Sequence, residues 1–128
     1  FNLTNAYCEP KPIQRPHPPI CIGGAGPKRT IPAVARWAQH WNFPGGPVDS
    51  WKVSRDLLWA ECERIGRDPS EIMTSTHLLA DANDPGVAVA QAEAYAEAGL
   101  DMGILYLPPP HTPATLEAHA VALQSLAD

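Results

Sequence analysis

The sequence predicts an α/β fold of four β/α units in strict alternation, preceded by a proline-rich lead-in. From Ile20 onward, short apolar segments alternate with helical patterns, at roughly 30 residues per unit. The third predicted strand carries four polar residues in a row, Thr74, Ser75, Thr76 and His77. Strict alternation with right-handed crossovers implies a parallel sheet with its helices outside it.

Two architectures satisfy that alternation: an open sheet with helices on both faces, or half of a (β/α)8 barrel, which needs eight units and usually about 250 residues. The central strands of a doubly wound open sheet are nearly all apolar. Small polar residues at alternate positions of the third strand suit a barrel interior near a polar ligand better. The sequence therefore favours a half-barrel of four parallel strands in sequential order.

The lead-in covers residues 1–18, and the predicted half-barrel covers residues 19–128. Clustered prolines keep the lead-in extended and non-helical. The first strand is predicted at 19–22, and its helix at about 30–39. Pro32 falls in the first turn of that helix, where a missing N–H costs little.

The second strand is predicted at residues 40–43 and closes at the Pro-Gly-Gly sequence that follows it. The second helix begins near Asp49, its candidate N-cap, and stops at Gly66. Helical spacing predicts its buried face as Trp51, Leu58, Cys62 and Ile65.

The last two units follow the same pattern. The third strand, 72–79, alternates in direction, with Ser75 and His77 on the face opposite Thr74 and Thr76. The third helix, 84–98, stops at Gly99, and the fourth strand, 102–107, ends at three prolines. Thr112 is the candidate N-cap of a final helix at 113–126.

Composition limits the classes of function. The 128 residues carry a net charge of −5, with nine Lys and Arg against fourteen acidic residues, which argues against a nucleic-acid surface. No apolar segment approaches the ~20 residues of a membrane span, and no signal peptide is recognisable. Cys8, Cys21 and Cys62 are odd in number and lack CxxC spacing, which is typical of reduced thiols in a cytoplasmic protein. Phe1 in place of Met indicates a processed chain or a fragment.

The segment after the first strand is the main candidate site. Its glycines let backbone N–H groups approach an anion without an intervening Cβ, and a helix N-terminus leaves further N–H donors unpaired. Cations at a helix start oppose the helix dipole, which suggests that an anionic ligand compensates them. A strand-to-helix turn with solvent-facing basic residues is the alternative. The residues concerned are Gly23, Gly24, Ala25, Gly26, Lys28, Arg29 and Thr30.

Three ordered segments of this chain, residues 5–24, 34–42 and 62–72, resemble the luciferase-like flavin-dependent oxidoreductases, and most closely the branch that uses the deazaflavin coenzyme F420. The resemblance implies a TIM barrel of which this chain is the C-terminal half, strands five to eight. In the wider family Asp-Gly usually stands where this chain has Gln39-His40, and Pro32 replaces what is commonly a straight-chain residue.

The resemblance also implies the site. The glycine-rich turn would contact the ribityl phosphate of the coenzyme through Gly23, Gly24, Ala25 and Gly26, with Lys28, Arg29 and Thr30 at the helix start. Asn42, at the end of the second strand, would line the coenzyme site. FMN presents the same phosphate and is the alternative cofactor.

The resulting expectation is an oxidoreductase that transfers hydride between F420 and a small-molecule substrate. This chain would supply half of the site, and the catalytic residues would lie in an N-terminal half that it lacks. The alternatives are an FMN-dependent monooxygenase of the same superfamily and a non-catalytic phosphate-binding half-barrel. The expected protein partner is the missing half or, in a homo-oligomer, a second copy of this chain. Neither a nucleic acid nor a membrane is expected as a partner.

The remaining candidates have mainly structural interpretations. His40 and His77 are expected to be partly buried structural residues, His111 is a possible pocket residue, and His119 is expected at the surface of the last helix. No HxH or HExxH spacing indicates a metal site. The four tryptophans are interpreted as packing residues, with Trp41 as the one candidate for stacking on a flavin.

Overall fold

The computed structural model describes residues 2–7, 9–109 and 111–126, and it contains four strands that alternate with four helices. Residues 2–7 and 9–20 carry no helix or strand. None of the helices in the described ranges is long and apolar enough to span a membrane. The elements are β1 Cys21–Gly23, α1 Thr30–Trp37, β2 His40–Phe43, α2 Val48–Ile65, β3 Met73–Leu79, α3 Gly86–Glu97, β4 Met102–Tyr106 and α4 Pro113–Leu123, with 3-10 turns at Pro69–Glu71 and Gln124–Leu126.

The four strands form one parallel sheet in the order β1-β2-β3-β4. Ile22 pairs in register with Trp41, and Trp41 with Thr74, so these side chains share one face of the sheet. The predicted parallel strands in sequential order are confirmed.

The helices cover one face of this sheet and leave the other open. The covered face buries Trp41, Phe43 and Leu78 in one apolar cluster with residues of α1, α2 and α3. The opposite face, here called the open face, exposes large side chains: Met73, Leu79, Met102 and Tyr106. Sequential right-handed crossovers place all helices on one side. A doubly wound sheet with helices on both faces is therefore excluded.

The ends of three helices differ from the sequence prediction. Helix α1 ends at Trp37 rather than residue 39. Helix α2 begins at Val48 with Pro47, not Asp49, as its N-cap, because the N–H groups at positions 50 and 51 both bond to the Pro47 carbonyl. Helix α3 begins at Gly86, because the Asp84 carboxylate accepts the Gly86 N–H at 3.0 Å and closes a turn before the helix.

Other helix ends follow the sequence. Gly66 ends α2 in the left-handed conformation with φ of 74°. The Thr112 hydroxyl accepts the Thr115 N–H at 3.2 Å and caps α4. That helix turns into a 3-10 turn after Leu123 rather than running on as α-helix.

Two arginines connect helices of this layer through long-range hydrogen bonds that the sequence did not indicate. The Arg67 guanidinium donates to the carbonyl oxygens of Ala35 at 2.9 Å and Ala38 at 2.6 Å, so it satisfies the C-terminal carbonyls of α1. Arg55 lies over the Trp59 ring and donates to the Ala98 carbonyl at 2.7 Å. The Arg67 bonds hold the C-terminal end of α1 in place, and the Arg55 bond joins α2 to the end of α3.

Candidate functional site

The glycine-rich turn, residues 23–29 between β1 and α1, is fixed to β2 at Gly24. The Gly24 N–H donates to the Asn42 carbonyl at 3.0 Å, and the Gly24 carbonyl accepts the indole N–H of Trp41 at 2.7 Å. Gly24 has φ of 111°, a backbone conformation that residues with a Cβ rarely adopt. The position of the turn is therefore set by backbone and core contacts rather than by its own side chains.

Two of the glycines lie close to the Thr30 side chain. A Cβ added at Gly24 would be 3.2 Å from Thr30 Cγ2, and one added at Gly26 would be 3.1 Å from Thr30 Oγ1. At Gly23 the nearest atom, the Asn42 carbonyl oxygen, is 3.8 Å away, which is ordinary contact. Steric crowding therefore favours glycine at positions 24 and 26 but not at position 23.

The N-terminal end of α1 presents unpaired backbone donors. Arg29 is the N-cap and makes no side-chain capping bond, and the first turn holds no acidic residue. Within the described part of the chain, the N–H groups of four turn residues and of the first residue of α1 donate to no acceptor: Ala25, Gly26, Lys28, Arg29 and Thr30. Such a group of amides at a helix start is suited to bind an anion.

Lys28 and Arg29 add positive charge beside these amides. Both are exposed, and neither forms an ion pair with a described residue. The sequence predicted that the helix opens with these two cations, but α1 begins at Thr30. Both residues lie in the turn itself, because the Ile31 N–H bonds back to the Gly26 carbonyl and keeps residues 27–29 out of the helix.

Asn42 lies beside the turn on the open face, paired in register with Gly23. Its amide nitrogen donates to the Ser75 hydroxyl at 2.8 Å, and that hydroxyl also bonds to His40 Nε2 at 2.7 Å. Ser75 is fully buried. One N–H of the Asn42 side-chain amide is thus engaged, and its second N–H and its side-chain oxygen Oδ1, which bond to no described residue, are free to meet a ligand.

The structure brings the predicted site residues into one region at the carboxyl ends of β1 and β2. That is the end at which barrel enzymes assemble their sites. His40, as expected, is partly buried with a structural partner. His77 is half-buried on the open face against the Tyr106 ring, with centroids 4.9 Å apart. His111 is exposed and bonds to the Leu107 carbonyl at 3.0 Å.

The prediction that His119 lies at the surface is wrong. The residue is buried, and both ring nitrogens lie within bonding distance of carbonyl oxygens, Nδ1 at 2.8 Å from Thr115 and Nε2 at 3.1 Å from Asp81. The His119 ring therefore packs between α4 and the segment that follows β3 and contacts both.

Two predictions for tryptophan also need correction. Trp37 is 60% exposed and is not a packing residue, because α1 is the edge helix of the layer and only α2 packs beside it. Trp41 is fully buried behind the turn and has no surface to stack on a flavin. Its role is to donate its indole N–H to Gly24, a long-range bond that no local pattern signals.

A cleft of about 640 Å³ lies at the opposite, amino ends of β3 and β4, where Trp59, Asp68, Met73 and Asp101 line it. Its carboxylates already serve the fold: Asp68 accepts a backbone N–H at 2.8 Å, and Asp101 accepts the Thr74 N–H at 2.6 Å. The first of these bonds holds the pKa of Asp68 below its ordinary value. Across the described ranges, no group of three or more His, Cys, Asp or Glu side chains could hold a metal ion.

No protein-family model matches the chain, and no curated protein matches its sequence. A solved structure does match it: the coenzyme F420 dependent tetrahydromethanopterin reductase from Methanopyrus kandleri, with a TM-score of 0.61 and 12% sequence identity over 77% of this chain. The chain spans 48% of the length of that structure. A likeness at this identity shows the fold: four parallel β/α units equivalent to about half of the barrel of that reductase. The predicted fold class is thereby confirmed.

Proposed function

We propose that the chain is the C-terminal half of a luciferase-like oxidoreductase barrel that transfers hydride with coenzyme F420. The single observation that carries the proposal is the group of unpaired backbone N–H groups at positions 25, 26 and 28–30, beside two cations that form no ion pair with a described residue. The F420-dependent activity of the structural neighbour supports the choice of coenzyme. Thiols at Cys21 and Cys62 that form no disulfide agree with a cytoplasmic location.

The residues present fit a phosphate group. Glycine at positions 24 and 26 keeps the turn close to Thr30 at the start of α1, where a Cβ at either position would crowd the threonine side chain. The amides of this turn would donate to the phosphate oxygens, while Lys28 and Arg29 would neutralise their charge. Bound F420 supplies the hydride chemistry itself. The part of this chain is to hold the coenzyme at its phosphate and to present the side-chain amide of Asn42 beside it.

The open face and both strand edges need a second half-barrel. The outer edges of β1 and β4 have no partner strand among the described residues. The open face exposes Leu79 at 65% and Tyr106 at 57%, and it carries no carboxylate within the strands. We propose that another set of four β/α units pairs with these edges, closes the barrel and brings the catalytic residues and most of the substrate pocket.

Light scattering distinguishes the sources of that half. If a second copy supplies it, the purified chain has twice its 13.8 kDa mass. If a separate N-terminal half supplies it, the chain alone aggregates or unfolds without a sharp transition, and it becomes monodisperse when that half is added. A stable monomer that turns over substrate with F420 would contradict the half-site proposal.

The alternatives differ in the cofactor that they retain. FMN carries the same ribityl phosphate, so the turn alone does not discriminate against an FMN-dependent monooxygenase. A non-catalytic half-barrel would keep the phosphate site without redox chemistry. Absorbance of the protein purified from a host that makes both cofactors separates these cases: one violet band is expected for F420, two bands indicate FMN, and a colourless protein favours the non-catalytic alternative.

A further inference from the structure

Trp41 reaches the glycine-rich turn from inside the core. It belongs to β2, faces the helices and is fully buried, with its ring edge-on to Phe43 at a centroid distance of 6.0 Å. Its indole N–H donates to the Gly24 carbonyl at 2.7 Å. A fully buried residue in this position does not contact a ligand, and its one hydrogen bond to the candidate site is the bond to the turn.

The bond to Gly24 fixes the direction of the next amide. In a planar trans peptide the carbonyl and the N–H point in opposite directions. Because Trp41 holds the Gly24 carbonyl toward the core, the Ala25 N–H points away from it. The Gly24 N–H is held separately by the Asn42 carbonyl at 3.0 Å, so the peptides on both sides of Gly24 are fixed.

We propose that Trp41 is a positioning residue for the anion site: its indole N–H orients the Gly24–Ala25 peptide so that the Ala25 amide is presented to a phosphate. The proposal rests on the proposed function, since it presumes that the turn binds phosphate. It goes further by assigning a specific role to a residue outside the turn, and it replaces flavin stacking as the role of this tryptophan.

The chain contains a matched control for this residue. Trp51 is also fully buried and also meets one aromatic ring edge-on, that of Tyr95, at a centroid distance of 6.1 Å. Its indole N–H has no hydrogen-bond acceptor among the described residues. Replacing either tryptophan by phenylalanine removes a similar volume and one N–H, but only Trp41→Phe removes a bond to the turn.

The test is titration of wild type, Trp41→Phe and Trp51→Phe, each in the assembled form that light scattering identifies, with inorganic phosphate and with F420, followed by backbone amide chemical shifts. Loss of the indole bond should weaken both affinities about tenfold in Trp41→Phe, the size expected for one hydrogen bond that positions a donor. Trp51→Phe should bind within about twofold of wild type. Equal affinities for all three proteins, or equal losses in both variants, would overturn the proposal.

A second readout separates this inference from the proposed function. In the ligand-free protein, the Ala25 amide shift should change in Trp41→Phe and stay unchanged in Trp51→Phe. If wild type binds neither phosphate nor F420, the proposed function fails and the positioning role fails with it. If wild type binds and the Ala25 amide is unaffected by Trp41→Phe, the positioning role alone is refuted.

Discussion

Replacing Gly24 by alanine should damage coenzyme binding more than it damages the fold. With φ of 111° at this position, a residue with a Cβ is strained by about 1–3 kcal/mol. The added Cβ would also lie 3.2 Å from Thr30 Cγ2, so the threonine must shift by a few tenths of an ångström. Rotation of the neighbouring peptides relieves the strain, and it turns the Ala25 amide away from the phosphate.

The expected loss of affinity for F420 has a lower limit, and a second glycine of the chain provides the control. If the lower end of that strain range, about 1 kcal/mol, is lost from the binding free energy, the affinity for F420 falls at least about fivefold. Gly99→Ala is the matched control: Gly99 has φ of 92°, a Cβ there meets nothing within 4 Å, and it lies before β4, at the opposite end of the sheet. Both variants should lose comparable thermal stability, but only Gly24→Ala should lose affinity for F420.

Thermal unfolding and fluorescence titration with F420 measure the two effects on the same samples. A folded Gly24→Ala variant that binds F420 as tightly as wild type would refute the phosphate assignment of the turn. A similar loss of affinity in Gly99→Ala would show instead that binding follows global stability.

Three further predictions concern residues away from the turn. His119→Ala should cost about 1–3 kcal/mol in urea unfolding, because a buried side chain with two carbonyl partners is lost, whereas the exposed His111→Ala should change little. The lowered pKa of Asp68 means that its backbone hydrogen bond stabilises the fold above the ordinary carboxyl range and is lost as the pH falls through that pKa. Asp68→Ala should therefore lower Tm near about pH 7 and have little effect near about pH 2, and an equal effect at both would contradict the assignment. With Cys8 and Cys21 both replaced by serine, Cys62, which is fully buried and whose pKa burial raises, should react with a thiol reagent only on unfolding, and rapid labelling of the native protein would contradict the structure.

The order and type of the elements could be predicted because they depend on local patterns. Glycine stops such as Gly66, the cap at Thr112 and the alternation of apolar segments each act within a few residues of chain. The prediction that polar residues of the third strand face a barrel interior is half right: Ser75 and His77 lie on the open face, whereas Thr74 and Thr76 lie on the face that the helices cover.

Contacts between distant segments escaped prediction. His119 is buried because of an acceptor 38 positions away, and Trp41 bonds to a carbonyl 17 positions before it. Arg67 follows a helix stop, where a solvated side chain is the usual expectation, yet it binds carbonyls of α1 about 30 positions upstream. A mid-helix histidine or a strand tryptophan looks the same in sequence whether or not such a partner exists.

Amide chemical-shift mapping of this chain, in the assembled form that light scattering identifies, with F420 and in parallel with the same deazaflavin lacking its phosphate, tests the central claim most directly. The account predicts that F420 shifts the amides of Ala25, Gly26, Lys28, Arg29 and Thr30 and that the dephosphorylated compound leaves them unchanged. Identical shifts with both compounds, or shifts confined to the cleft around Asp68 and Asp101, would contradict it.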